Sequence, residues 1–227
     1  MKRYIVLFFI ATGFLSAKSQ DYVHPVPVIT NSANTRPPDS LRLGNAHKGF
    51  YLSMSLGEIS GNINDAGNDP VLGNYNIDFS GMGAMFDIKI GGAVAENVII
   101  HATLISTAVS GPTLKGNGNV YNSSNNVSLN EAMTGGGLTY YFMPINIFLS
   151  GSIGSGIYTV TANGNSNSTQ RGLSYQLKAG KEWYVSRKWG LGIAVSYFST
   201  SVDNSSNGGT ETINSGRFAI LFNATLN

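Results

Sequence analysis

Residues Trp189–Tyr197 read WGLGIAVSY, and this stretch decides the fold of the chain. Its odd-numbered positions are Trp, Leu, Ile, Val and Tyr, whereas its even-numbered positions are Gly, Gly, Ala and Ser. Apolar residues at every second position indicate a β-strand with one apolar face, because successive side chains of a strand point to opposite sides. The same period of two recurs along the chain, and no segment has a convincing helical period.

Eight such alternating runs follow His47. They start at Phe50, Met82, Val98, Leu138, Ile147, Leu173, Trp189 and Phe218. The connections between them alternate in length. Those at 57–76, 110–132, 161–170 and 200–213 are long and rich in Gly, Asn and Ser, and those at 91–97, 143–146 and 184–188 are short. An even number of strands with short turns at one end and long loops at the other is typical of bacterial outer-membrane barrels.

The composition agrees with a sheet that faces lipid. Only 11% of the residues are charged, whereas typical globular domains have about 25%. In hydrocarbon every backbone N–H and C=O needs a partner, so a sheet can cross a membrane only when it has no free edge. The sequence therefore predicts an all-β fold, an eight-stranded antiparallel up-and-down transmembrane β-barrel.

The N-terminus has the pattern of a secretory signal. Lys2 and Arg3 precede an almost unbroken apolar stretch, and Ala17-Lys18-Ser19 supplies small residues before a cleavage site. We expect a signal peptide at 1–19, a periplasmic linker with four prolines at 20–45, and an outer-membrane β-barrel at 46–227.

Charge and cysteine content exclude several kinds of partner. Removal of the signal takes three of the 14 basic residues, which leaves 11 basic against 12 acidic side chains. Without a basic field the chain is not expected to bind nucleic acid. The absence of cysteine excludes a disulfide framework and a thiolate metal site.

Charged residues on the polar face predict a network inside the barrel. The expected luminal polar network consists of Asp87, Lys89, His101, Lys178 and Glu182. If the turn at 91–97 is symmetric about Val94, Asp87 lies directly opposite His101, close enough for a charge-assisted hydrogen bond.

Two tryptophans flank one of the short turns. Trp183 and Trp189 stand at the alternate positions that carry the apolar side chains of their strands. We expect both to lie in the interfacial girdle at the membrane surface. The alternative is that they are ordinary core residues of a soluble barrel.

Three stretches carry a resemblance to a known family. Gly49-Phe50-Tyr51-Leu52-Ser53-Met54, the run from Gly135 to Phe142 (GGGLTYYF) and the tryptophan hairpin resemble small bacterial outer-membrane β-barrel proteins of the OmpA/OmpX-like type. The resemblance covers about residues 46–227 and is one of pattern. Such barrels usually end on an aromatic residue, whereas this sequence ends Thr225-Leu226-Asn227.

The sequence favours no catalytic site. His101 has no serine beside it, and the aspartates between Asn62 and Asp69 do not match a calcium loop. We therefore expect no catalytic, metal or cofactor-binding residues. The expected location is the bacterial outer membrane, with the linker and the C-terminus in the periplasm.

Two classes of function remain open. The first is a non-enzymatic barrel with a structural or surface-recognition role through its long extracellular loops. The second is an accessory subunit of a secretion or transport assembly, and a narrow pore is a weaker third option, because about eight strands leave an interior just filled by side chains. The expected partners are outer-membrane lipid, the barrel-assembly machinery during insertion, and unidentified proteins at the extracellular loops.

Overall fold

The chain is described by a computed structural model that covers residues 47–69, 73–116, 119–124, 126–206 and 209–226. The predicted signal peptide and linker lie outside these residues. Within the described ranges, no helix is long and apolar enough to span a membrane.

The described residues form eleven β-strands. They are β1 Phe50–Asp69, β2 Gly73–Ala95, β3 Val98–Ser110, β4 Thr113–Gly116, β5 Asn119–Asn122, β6 Val127–Phe142, β7 Ile147–Ala162, β8 Asn165–Ser168, β9 Gly172–Tyr184, β10 Trp189–Ser206 and β11 Gly209–Leu226.

Eight of these strands pair antiparallel in a ring. The order around it is β1, β2, β3, β6, β7, β9, β10 and β11, so neighbours in the ring follow one another along the chain. The ring closes because β1 pairs with both β2 and β11: Leu52 lies opposite Ile90 on one side and Leu226 on the other. The predicted eight-stranded up-and-down barrel is therefore confirmed.

Most of the predicted long connections are themselves strand, and the sequence prediction of open loops there was wrong. β1 runs to Asp69 and β2 begins at Gly73. β4 adds to the edge of β2, with β5 beyond it, and β8 adds to β7. Asn, Gly and Ser have low β propensity, but the cross-strand hydrogen bonds of a long hairpin satisfy their backbones. This side of the barrel is called the hairpin end.

The opposite side, called the turn end, holds short turns. The turn between β2 and β3 contains only Glu96 and Asn97, and Asn97 has φ +63°. Asparagine tolerates this left-handed conformation better than most residues, so a two-residue turn forms there. The pairing also shifts by one residue between Ala93 and Ala95. The predicted turn symmetric about Val94 was therefore wrong.

The outer face carries an apolar belt, which Glu58 on β1 interrupts. On β10 the belt runs from Trp189 to Tyr197, and the outward positions beyond it are the polar residues Ser199, Ser201 and Asp203. At about 3.4 Å per residue, and with the usual strand tilt, this belt is about 20 Å tall, close to the apolar band of about 25 Å in membrane barrels. Large apolar side chains of the belt are exposed: Val195 is 60% accessible and Ile220 is 72% accessible.

Candidate functional site

The inner face contains a cluster of buried charges near the turn end. Asp87 on β2 accepts hydrogen bonds from Lys89 Nζ at 3.0 Å and from Lys178 Nζ on β9 at 3.0 Å. Lys89 Nζ also donates to Gln176 Oε1 at 2.6 Å. All four side chains are buried. Paired charges with several hydrogen bonds are the form in which ionised groups are tolerated inside a protein.

Glu182 joins this cluster through Asn223. Lys178 Nζ donates to Asn223 Oδ1 at 3.0 Å, and Asn223 Nδ2 donates to Glu182 Oε1 at 2.6 Å. The Thr225 hydroxyl donates to the same carboxylate oxygen at 2.7 Å. Four of the five predicted network residues, Asp87, Lys89, Lys178 and Glu182, thus lie in one chain of contacts.

His101 lies in a different group of side chains. Its Nδ1 is 3.0 Å from the hydroxyl of Thr103, and its Nε2 is 3.0 Å from the hydroxyl of Thr139. Gly137 lies opposite His101 on β6, and a Cβ there would be only 2.8 Å from the imidazole Cε1. The glycine therefore leaves the space that the ring occupies.

The predicted contact between Asp87 and His101 was wrong. Asp87 is opposite Ile105, and His101 is opposite Gly91. The actual register differs from the predicted one by an even number of residues. Such a shift keeps every side chain on its face but changes its partner.

A second buried ion pair lies closer to the hairpin end. Arg217 of β11 contacts Glu131 of β6 and donates to the Thr107 hydroxyl at 2.6 Å, while the Ser215 hydroxyl donates to Glu131 Oε1 at 2.9 Å. Sequence reasoning missed this pair because it placed Glu131 in a loop. The alternation of β6 is visible from Leu129 onward, and it could have revealed the inward position of Glu131.

Apolar side chains fill the space between the two charged groups. They form one cluster on the luminal side, which includes Ile59, Met85, Ile105, Met133 and Phe198. Ile99 and Ile105 occupy inward positions of β3 alongside polar residues such as His101, and both belong to this cluster. The lumen is therefore packed with alternating polar and apolar groups, as expected for about eight strands.

His47 covers the lumen at the turn end. Its ring stacks on Tyr141 with 3.5 Å between centroids, and its Nε2 donates to Asn146 Oδ1 at 2.9 Å. Its backbone N–H donates to Asn97 Oδ1 at 3.0 Å. The side chain of His47 is buried.

Trp183 and Trp189 lie on the outer face at the turn end, where they are 52% and 37% accessible. Lys181 places its ammonium group 5.7 Å from the centroid of the Trp183 ring and donates to the Ile145 carbonyl at 2.7 Å. Lys181 thus occupies an outward position among apolar residues but directs its ammonium group toward the turns. This arrangement is expected of a lysine that extends its charge to the membrane–water interface.

A polar mouth lies at the hairpin end, beyond the apolar belt. Glu211 of β11 accepts hydrogen bonds from Asn204 Nδ2 at 2.7 Å and from the Tyr75 hydroxyl at 3.3 Å. Asp65 of β1 is near Glu211, and its Oδ1 is buried without a hydrogen-bond partner among the described residues. Burial, followed by the negative charge of Glu211, raises the pKa of Asp65 from 3.8 to about 7.

This pKa predicts an effect of pH on stability. Between about pH 4 and pH 7 the folded barrel retains a proton on Asp65 that the unfolded chain loses, so stability falls as the pH rises through this window and stays lower above it. Asp65→Asn should therefore raise the free energy of unfolding by about 1–2 kcal/mol at pH 8, a value reduced for partial exposure, and change little at pH 4. Urea titrations of the barrel in lipid vesicles at the two pH values measure the difference.

Asp203→Asn is the matched control for this prediction. It removes one carboxylate from the outer face, where Asp203 is exposed and accepts a hydrogen bond from Thr212 at 2.9 Å. An equal gain in both variants at pH 8 would trace the effect to net charge and contradict the role of burial.

The geometry offers little for nucleophilic catalysis. Ser150 Oγ is 3.5 Å from His101 Nε2, but the hydrogen bonds described for His101 include no carboxylate that could orient its ring. Within the described residues no group of three His, Asp or Glu side chains converges as metal ligands.

Comparisons with known proteins bear on the fold. No protein-family model matches the chain, and no curated protein matches it in sequence. Among solved structures, Neisserial surface protein A is 14% identical, with a TM-score of 0.52 over 80% of this chain and 99% of that chain.

Two further structures are similar at lower scores. The outer membrane protein OprG from Pseudomonas aeruginosa is 12% identical, with a TM-score of 0.46 over 80% of this chain and 98% of that one. The outer membrane protease OmpT from Escherichia coli is 11% identical, with a TM-score of 0.42 over 78% of this chain and 96% of that chain. The likeness to Neisserial surface protein A confirms that the chain has the fold of the small outer-membrane β-barrel proteins that the sequence resembles.

Proposed function

We propose that this protein is a non-enzymatic barrel of the bacterial outer membrane that recognises surfaces or partners through its hairpin end. One observation carries the proposal: the strands continue beyond the apolar belt, and the paired strands β4 and β5 at that end carry exposed apolar residues. On β5, Val120 is 61% accessible and Tyr121 is 60% accessible. Exposed apolar side chains on a polar extension are a common feature of interaction sites.

The apolar belt supports the location in a membrane. Most of its outward residues are aliphatic or aromatic, Glu58 on β1 and Lys181 on β9 being charged exceptions, and Trp183 and Trp189 lie at one margin. The short turns lie at the same end as His47, the first described residue, which supports an orientation with the hairpin end outside the cell.

The lumen supports a barrel without catalysis or conduction. Many of its polar side chains contact one another, as Asp87 contacts Lys89 and Glu131 contacts Arg217. Apolar residues such as Met85 and Phe198 lie between these groups. A steady conductance in planar bilayers would favour the pore alternative and count against this proposal.

A cell-adhesion assay tests the recognition role. Cells that express the wild type and the variant Val120→Ser/Tyr121→Ser are mixed with hydrocarbon droplets and, separately, added to albumin-coated plates. We expect the variant to adhere several-fold less to both, because the exposed apolar tip is lost while the barrel is unchanged. Asn119→Ser/Asn122→Ser, on the same strand β5, is the matched control and should adhere like the wild type.

The same cells report the orientation. An epitope inserted after Asn122 should bind antibody on intact cells, since a solvated hairpin tolerates inserts. Antibody binding only after permeabilisation would contradict the proposed orientation.

In the adhesion assay, unchanged adhesion of Val120→Ser/Tyr121→Ser would refute the role of β5.

A further inference from the structure

The hairpin end contains a cavity of about 200 Å³ in the mouth of the barrel. Its floor is apolar and includes Ile63, Leu129, Tyr158 and Ile213. Since one water in the liquid occupies about 30 Å³, the cavity holds about seven water-sized groups, enough for a small ring or a short chain. Water would find few hydrogen-bond partners on such a floor.

The wall of the cavity is polar, with neutral side chains such as Asn167 and Asn204 and two acidic ones. Asp65 and Glu211 both line it, and one oxygen of Asp65 is buried without a hydrogen-bond partner in the described part of the chain. Among the described lining residues there is no lysine or arginine. Two neighbouring carboxyl groups therefore face an apolar cavity without a basic side chain in its lining.

Three other carboxylates are buried in the described barrel interior, and each accepts hydrogen bonds from side chains of the barrel; for Glu182 these are Asn223 and Thr225. Asp87 contacts two lysines, and Glu131 contacts Arg217. Buried charges are normally paired in this way because an unpaired ion loses its hydration without compensation. Asp65 and Glu211 have no basic partner among the described residues that line the cavity, and the cavity beside them leaves room for a cation from outside the chain.

We propose that the mouth cavity binds a small amphipathic molecule that carries an ammonium group next to an apolar ring or short chain. The ammonium group would donate hydrogen bonds to Asp65 and Glu211, and the apolar part would lie on Ile63, Leu129 and Ile213. Asn204 and Tyr75 already donate to Glu211, so they would hold its carboxylate in position. Capture from outside the cell rests on the proposed orientation, whereas binding itself does not.

The raised pKa of Asp65 makes binding of the ammonium group depend on pH. The pKa of about 7 means that this carboxyl group is largely protonated at pH 6 and largely ionised at pH 8. The titratable groups that face it are Glu211 on β11 and Tyr75 on β2. Because an ionised carboxylate attracts an ammonium group more strongly, binding should strengthen between pH 6 and pH 8.

The test uses the purified barrel in lipid nanodiscs, with 2-phenylethylamine as the probe and 2-phenylethanol as its neutral counterpart. We expect calorimetric or NMR titration at pH 8 to show the amine binding at least tenfold more tightly than the alcohol. The double variant Asp65→Asn/Glu211→Gln should remove this preference, and Ile213→Ala should weaken both probes. Asp203→Asn, which removes a charge from the outer face, should bind both probes like the wild type.

Several results would overturn the proposal. One is equal affinity for the amine and the alcohol; another is an equal loss of amine binding in Asp203→Asn. A third is competition by calcium or ammonium chloride that is as strong as competition by the amine. The site would then bind cations in general, and the apolar floor would not contribute to affinity. Binding of the amine by a barrel whose hairpin end proves periplasmic would leave this inference intact and refute only the proposed orientation.

Discussion

Glu131→Gln is expected to lower the free energy of unfolding by about 3–5 kcal/mol, the largest effect of any single change considered for this barrel. Glu131 and Arg217 are both buried, and the substitution leaves the guanidinium group as an unpaired ion. Arg217 Nε and Nη1 already have no hydrogen-bond partner among the described residues, so the barrel offers little to replace the lost carboxylate. Urea unfolding in phospholipid vesicles, followed by the fluorescence of the two tryptophans, measures the loss.

A double-mutant cycle separates the ion pair from other effects of the substitution. Arg217→Met alone should also destabilise the barrel, whereas the double variant should lose at least 2 kcal/mol less than the two single losses combined, because no charge is left unpaired. Glu96→Gln is the control: it removes an exposed carboxylate from the turn between β2 and β3 and should change stability by about 0.5 kcal/mol or less. Additive losses would contradict the pairing of the two charges.

Val195→Arg is expected to lower stability by about 2–4 kcal/mol in lipid vesicles, provided that the belt contacts the bilayer. Val195 lies in the belt between Ile220 on β11 and Ala179 on β9, so neither neighbour on the outer face offers a partner for the guanidinium group. The free energy of unfolding in vesicles of known thickness gives the measured value.

Ser201→Arg controls for the new charge. Ser201 has the same outward parity on β10 but lies beyond the apolar belt, and an arginine near the interface should cost about 0–1 kcal/mol. Equal losses at Ser201 and Val195 would mean that the belt does not contact hydrocarbon.

The assignment of faces could be predicted from the sequence alone. Strict alternation places a side chain inside or outside by its parity, whatever its partner on the next strand. Asp87, Lys89 and Lys178 therefore fall on the inner face as predicted, and Trp183 falls on the outer face. Closure of the ring also follows from a physical requirement, because a free edge cannot be satisfied in lipid.

Strand register could not be predicted in the same way. It depends on where a turn forms, and the two-residue turn at Glu96–Asn97 with the shift after Ala93 moves the partner of His101 from Asp87 to Gly91. A shift by an even number of residues leaves the alternation of apolar and polar residues unchanged. The alternation therefore predicts which residues face the lumen, but not which residues lie opposite one another on neighbouring strands.

The hairpin end was the least predictable part. Composition there is dominated by Asn, Gly and Ser, which favour turns when they are taken one at a time. The cross-strand pairing that extends β1 to Asp69 is a property of two segments together. Asp65 and Glu211 are 146 positions apart in the sequence, and the pairing of β1 with β11 brings them to the same mouth.

The seam between β1 and β11 has a consequence for the order of folding. Leu52 pairs with Leu226, so the first strand must wait for the last before its edge is satisfied. Contacts between distant parts of a chain form slowly, because loop-closure entropy is lost before the contact is gained. Until then the nascent sheet has two unpaired edges, each a template for pairing with another chain. The edge of β1 therefore needs protection until β11 pairs with it, and that pairing ends the exposure of β1 to aggregation.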